Sequence, residues 1–210
     1  MGPRLTATAR RESILRAAMD LFARRGFAGV TTRELGSAAG ISEAMLFKHF
    51  PRKEALYRAI LERHLSEMER AMPLKGLASS DAPPERFFGE IAGTILGRMD
   101  ADPTLLRLMF YSALEGHPMA REMERVRSRG FRGAVASYLR RRAKDGTFRR
   151  TDPEVTARAF IWLVVGFGIS RVLFREPGAR AVSREVLVRR ILDVFLDGLR
   201  PAPRGRGGAR

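Results

Sequence analysis

Apolar residues recur along this chain at intervals of three and four, the period of a helix that buries one face. Ile14, Leu15, Ala18, Leu21 and Phe22 set the rhythm, and Gly26 follows in the position of a helix-ending glycine. A second, short helix is predicted from Thr31-Thr32-Arg33-Glu34, a capping-box pattern in which Thr31 and Glu34 satisfy each other's backbone donors. Gly40 ends it. Ile41 and Ser42 lead into a third short helix that reaches Phe50, and Pro51 breaks it. A fourth spans about 53–72. The stretch 73–84, rich in Gly, Ser, Asp and Pro, marks the main boundary of organisation. Beyond it the pattern predicts helices near 85–99, 103–114, 119–144, 153–174 and 183–199, with Pro103 and Pro153 as first-turn prolines. No segment alternates at period two for long enough to be a strand. The fold class is all-α.

Composition narrows the partners. The 210 residues allow one or two domains, and 45% hydrophobic with 30% charged residues excludes a wholly disordered chain. Lys and Arg number 39 against 23 Asp and Glu, a net charge of +16 that calls for an acidic partner, nucleic acid ahead of an anionic membrane. Only Lys48, Lys53, Lys75 and Lys144 of these are lysines, so position carries more weight than the total. The absence of cysteine removes disulfides, thiol nucleophiles and iron–sulfur clusters, and permits the cytosol. Residues 1–11 have no apolar signal core. The 12 uncharged residues from Ala159 to Ser170, closed by Arg158 and Arg171, fall short of the roughly 20 that a membrane span needs. A buried helix, no membrane and a cytoplasmic location are expected. Residues 201–210 contain only Pro, Gly, Ala and Arg, and a disordered basic tail is expected there.

The second and third helices, joined by Gly40-Ile41-Ser42, have the proportions of a helix-turn-helix. Leu35, Ala38, Ile41, Leu46 and Phe50 fall where an inner face must fix their crossing angle. Ser42 is placed to cap the third helix. Arg33 can fork onto guanine O6 and N7, Lys48 and Lys53 suit phosphates, and Glu43 can accept from cytosine N4.

These residues carry a resemblance to the TetR/AcrR family of bacterial transcription regulators. The match runs without a gap from about Arg10 to Leu56, through Ile14-Leu15-x-Ala17-Ala18-x-x-Leu21-Phe22-x-x-x-Gly26-Phe27, Thr31-Thr32, Ala39-Gly40-Ile41-Ser42, Leu46-Phe47-Lys48-His49-Phe50 and Lys53-Glu54-Ala55-Leu56. It implies a DNA-binding domain over 8–56, a connecting helix over 57–72, and a ligand-binding and dimerisation domain over 84–200. It further implies a homodimer on palindromic double-stranded operator DNA, released by a small lipophilic effector, with repression the expected outcome. The DNA-contacting candidates are Thr31, Thr32, Arg33, Ser42, Glu43, Ala44, Met45, Phe47, Lys48, His49 and Lys53. Phe47 replaces the usual tyrosine, removing a hydroxyl-to-phosphate bond, and Arg52 replaces a small polar residue before the fourth helix.

Blander readings stand beside these. His49 can be a structural histidine, Thr31 only a cap, and the runs Arg24-Arg25 and Arg140-Arg141-Arg142 solvated helix faces. His49, His64 and His117 show no metal-ligand spacing, and no nucleophile elbow is present, so neither a cofactor nor catalysis is expected. Phe88, Met109, Phe110, Tyr111, His117, Phe131, Tyr138 and Trp162 are the candidates for an effector cavity, although most such side chains must be core. For the dimer contact the candidates are Phe160, Leu163, Val164, Phe167, Val186, Ile191, Val194 and Phe195, with Gly166 and Gly168 allowing close backbone approach. A basic protein that coats DNA without an effector is the alternative reading.

Overall fold

The computed structural model describes residues 6–71, 76 and 81–201, and every regular element among them is helical. The expected basic tail and most of the 73–84 linker lie outside the described residues. The chain divides into two compact units: Met1–Met72 with Asp102–Val126, and Pro73–Ala101 with Arg127–Arg210.

In the first unit, α1 (Ala7–Arg25) opens on Thr6, whose hydroxyl accepts from Ala9 N–H, and closes on Gly26 at φ +74°. The capping box of α2 (Thr32–Ala38) forms as its sequence pattern predicts: Thr31 Oγ1 accepts from Glu34 N–H at 3.2 Å, and Glu34 Oε2 accepts from Thr31 N–H at 2.8 Å. Those bonds, with the Arg25 guanidinium 2.7 Å away, hold the Glu34 carboxyl well below its ordinary range, at about 2. Ser42 caps α3 (Glu43–His49) by accepting from Met45 N–H. After α4 (Lys53–Ala71), the unit is completed by α6 (Thr104–Leu114) and α7 (Pro118–Arg127), where the division between units falls. Its core joins Phe22, Leu35, Leu46, Phe50 and Tyr57 to Leu108 of α6, all 3% exposed or less. Residues 102–126, expected within the domain over 84–200, group with the first four helices, the head of the molecule. The reason is that α6 closes the head's core.

The second unit comprises α5 (Pro84–Ala101), a π-helical turn (Ser128–Arg132), α8 (Gly133–Lys144), α9 (Pro153–Val172), α10 (Pro177–Ala181) and α11 (Arg184–Asp197). The single helix predicted over 119–144 is therefore interrupted by a π turn, and α10 has no counterpart in the sequence reading. Asp152 caps α9 and Pro153 fills its first turn, where a missing N–H costs nothing. At 20 residues, α9 is longer than its uncharged run and meets the length and composition of a membrane span. It nonetheless carries Glu154, Arg158 and Arg171, and buries Phe160, Ile161 and Val164 against its neighbours. Aromatic rings fill this unit's centre. Phe87 stacks on Tyr138 at 3.8 Å between centroids, and Phe88 meets Tyr138, Phe160 and Phe195 edge-on at 4.8–5.7 Å. The Tyr138 hydroxyl escapes desolvation by donating to the Ala82 carbonyl at 2.7 Å.

Two measurements probe these packing claims. Phe88→Ala should lower unfolding stability by about 3–5 kcal/mol in denaturant titration, since a fully buried ring is lost with its edge contacts. Carboxyl NMR should find Glu34 titrating near 2, and Arg25→Ala should raise that value. A folded-state value below the unfolded 4.5 means the cap's contribution is complete above pH 4.5 and fades as pH falls towards 2. Titration at the ordinary value would show the box unformed.

Candidate DNA-binding interface

The turn between α2 and α3 is built by backbone bonds. Gly40, at φ +66°, donates to the Ser37 carbonyl, and Ile41 N–H reaches back to the Gly36 carbonyl at 2.9 Å, the two bonds of a Schellman ending. Gly36 matters equally: a Cβ there would press on Ile41 O at 3.0 Å and Glu43 N at 3.3 Å. The sequence reading missed it, because a glycine inside a short helix carries no signal of what will lie against it.

Leu46 and Phe50 turn inward from α3, leaving Glu43, Ala44, Met45, Phe47 and Lys48 exposed, together with Arg33 and Ser42. Thr32 Oγ1 donates to Glu43 Oε1, tying the first residue of α2 to the first of α3. This leaves Glu43 Oε2 with its acceptor capacity. Thr31 is occupied as the cap of α2, its hydroxyl donating to Glu34 Oε2 at 2.8 Å. His49 is half-buried, and its carbonyl accepts from Arg11 Nη1 at 3.3 Å. The same guanidinium lies 4.2 Å from the Phe50 ring centroid, placing a cation at the negative end of α3. Sequence spacing gave no hint of Arg11. Lys53 opens α4 with its Nζ 4.2 Å from the Phe27 ring centroid, and burial lowers its pKa. All eleven DNA-contact candidates thus lie on α2, α3, their caps and the start of α4, within one unit.

The far end of α6 seats on this head. Tyr111 donates its hydroxyl to the Arg24 carbonyl at 2.9 Å. The Glu115 carboxylate accepts from Phe27 N–H at 3.1 Å and Ala28 N–H at 3.3 Å, in the loop that precedes α2. A Cβ on Gly26 would fall on Glu115 Oε1. The His117 ring packs 4.3 Å from Phe27 and 5.3 Å from Tyr57. These partners stand 87 or more residues apart in sequence for Tyr111 and Glu115, beyond the reach of any local pattern.

The cavity candidates are divided between the two units. Met109, Tyr111 and His117 pack on the head, and Phe110 is 37% exposed on α6. Phe88 and Tyr138 belong to the aromatic core of the other unit, Phe131 is buried in the π turn, and Trp162 is 49% exposed on α9. The dimer candidates also separate. Phe160, Val164 and Ile191 are interior, while Leu163 and Phe195 are half-buried. Phe167, Val186 and Val194 are exposed, as are Val155 and Trp162, which were not among the interface candidates. Gly168 faces Met99 and Leu96 of α5 in the same protomer, so its missing side chain serves internal packing. In the arginine runs, Arg24, Arg25 and Arg140 are exposed, as expected of solvated helix faces, and Arg142 is the exception. Arg25 pairs with Glu34, and Arg142, 17% exposed, donates to Ala82 O and pairs with Asp145.

Comparison with known proteins agrees with this geometry. Residues 14–60 match the family described as bacterial regulatory proteins, tetR family, and residues 98–198 match the AefR-like transcriptional repressor C-terminal domain. The helix-turn-helix regulator MT1294 of Mycobacterium tuberculosis is 31% identical over 153 residues, covering 73% of this chain and 70% of its own. The structure of the ketosteroid regulator KstR2 of Mycobacterium tuberculosis superposes with a TM-score of 0.70 at 20% identity, over 94% of this chain and 98% of its own. The structure of AibR, in complex with isovaleryl coenzyme A and operator DNA, gives 0.67 at 18% identity, over 91% and 98%. With a capped, exposed recognition helix inside the region that the first model matches, the chain belongs to the TetR family of bacterial transcriptional regulators, DNA-binding proteins and not enzymes.

Proposed function

We propose that this protein is a ligand-responsive repressor that binds a palindromic operator as a homodimer and leaves it when a small lipophilic effector binds. The observation that carries the reading is the seat of α6 on the head. Glu115 and Tyr111 hold the end of α1 and the loop before α2, so a displacement of α6 is passed to the helix-turn-helix through hydrogen bonds. An effector that prefers one placement of α6 shifts the population of DNA-competent heads, and one that binds both placements equally shifts nothing. The isovaleryl coenzyme A of the AibR complex and the ketosteroid in the description of KstR2 support a lipophilic effector class here.

Dimerisation is assigned to the surface that α9 and α11 leave apolar. Val155, Ala159, Trp162 and Gly166 recur at helical spacing on the outer face of α9, with Phe167 beside them, and Val186 and Val194 stand out from α11. A two-fold contact through this surface places two identical heads on two half-sites, which is what makes the operator a palindrome.

Binding to duplexes selected from a random library, against random DNA over a salt series, tests the reading. The selected site should bind about a thousand-fold or more tighter than random DNA at physiological salt. Equal affinity would favour the alternative of a basic, non-specific DNA coat. Arg33→Ala should cost about 1–3 kcal/mol on the selected site alone. Trp162→Glu should place an unpaired charge in the contact, leaving monomers by sedimentation and collapsing operator affinity. A folded Trp162→Glu variant that stays dimeric would put the interface elsewhere.

A further inference from the structure

The recognition helix presents an unusual surface for a protein whose partner is a polyanion. At 100° per residue, the direction opposite the buried Leu46 falls between Ala44 and Lys48, and Phe47 and Met45 lie to its two sides. Phe47 is 42% exposed and Met45 40%, although Phe22 and Phe50 of the same unit are buried almost completely. Three of the five exposed positions of α3, Ala44, Met45 and Phe47, are therefore apolar. Arg33, Lys48 and Arg52, exposed on α2, on α3 and just after it, add positive charge, which fits a nucleic acid backbone and not an apolar protein partner.

Resting on the operator-binding reading above, we infer that α3 reads thymine through its C5 methyl group, with Met45 and Phe47 as the specificity-determining side chains. The edges of the major groove carry hydrogen-bond donors and acceptors at every base pair, and the thymine methyl is its one apolar group. A phenyl ring or thioether pressed on a G·C pair strips water from guanine O6 and N7 and from the cytosine amine, and returns no hydrogen bond. Beside a thymine methyl the same side chains gain by burial. Phe47 has no hydroxyl to give a phosphate, so its ring is free for that contact. Burial of one methyl corresponds to about a four-fold change in affinity, and both half-sites of a two-fold operator together give roughly sixteen-fold.

The test uses the full-length protein and a duplex selected from a random library, with each thymine in turn replaced by deoxyuridine, which removes the methyl and keeps every hydrogen-bonding group. One or two thymines per half-site should respond, with a loss of about four-fold per methyl. Replacement outside the half-sites should change nothing. Phe47→Ala and Met45→Ala should bind more weakly overall, and each should no longer distinguish thymine from deoxyuridine at its own position. If wild-type protein binds every deoxyuridine duplex as it binds the thymine duplex, or if no thymine falls within the selected half-sites, the inference fails while operator recognition stands. If the penalty survives in both variants, Met45 and Phe47 are not the readers. If selection enriches no palindrome, the regulator reading fails and takes this one with it. The deoxyuridine series needs only wild-type protein, so it decides the matter even if a variant folds poorly.

Discussion

Tyr57 is fully buried in the head, and a buried phenol must find a partner for its hydroxyl. That partner is Ser112, with the Leu108 carbonyl beside it at 3.3 Å, and both belong to α6, more than fifty residues along the chain. Leaving the hydroxyl unpaired would cost about 1–3 kcal/mol, a large share of a small domain's stability. The first four helices therefore cannot settle their own core, and burial raises the Tyr57 pKa accordingly. Once α6 is in place, Leu108 fills the apolar gap while Tyr111 and Glu115 reach the end of α1 and its following loop. A DNA-binding head that needs an outside helix to be complete is open to control through that helix.

What was legible in the sequence is what short-range chemistry determines. Caps at Thr31 and Ser42 act within three residues, and the Gly40 turn is closed by bonds that span five or fewer. The course of α2, its turn and α3 follows from them. Contacts that depend on the folded arrangement of distant segments were not legible. Glu115 bonds across 87 and 88 residues, and nothing near it in sequence distinguishes it from any exposed glutamate. The outer face of α9 escaped for a different reason. Its apolar residues run all the way round, so periodicity could not say that Phe160 and Val164 face inward while Val155 and Trp162 face out.

The net charge of +16 overstates the surface offered to DNA. Several arginines act as internal clamps. Arg171 donates to the carbonyls of Ala179 and Val182 at 2.6 Å and pairs with Asp100, which fixes the approach to α11. Arg63 joins Glu12 of α1 to Glu67 of α4. Arg142 is sandwiched between Tyr138, Asp145 and the Ala82 carbonyl. The guanidinium suits this work because its planar fork satisfies several acceptors at once.

Gly26 and Glu115 bind the history of the two ends of this unit together. Any side chain at position 26 would need both a left-handed backbone and the space that the carboxylate occupies. A lineage could acquire one only after residue 115 had shortened or withdrawn, giving up its bonds to the Phe27 and Ala28 amides. Position 115 can change alone, whereas position 26 must wait for it. Among relatives, a long acceptor at 115 should be found with a glycine at 26, and the loss of that acceptor should be the permissive step for the loss of the glycine.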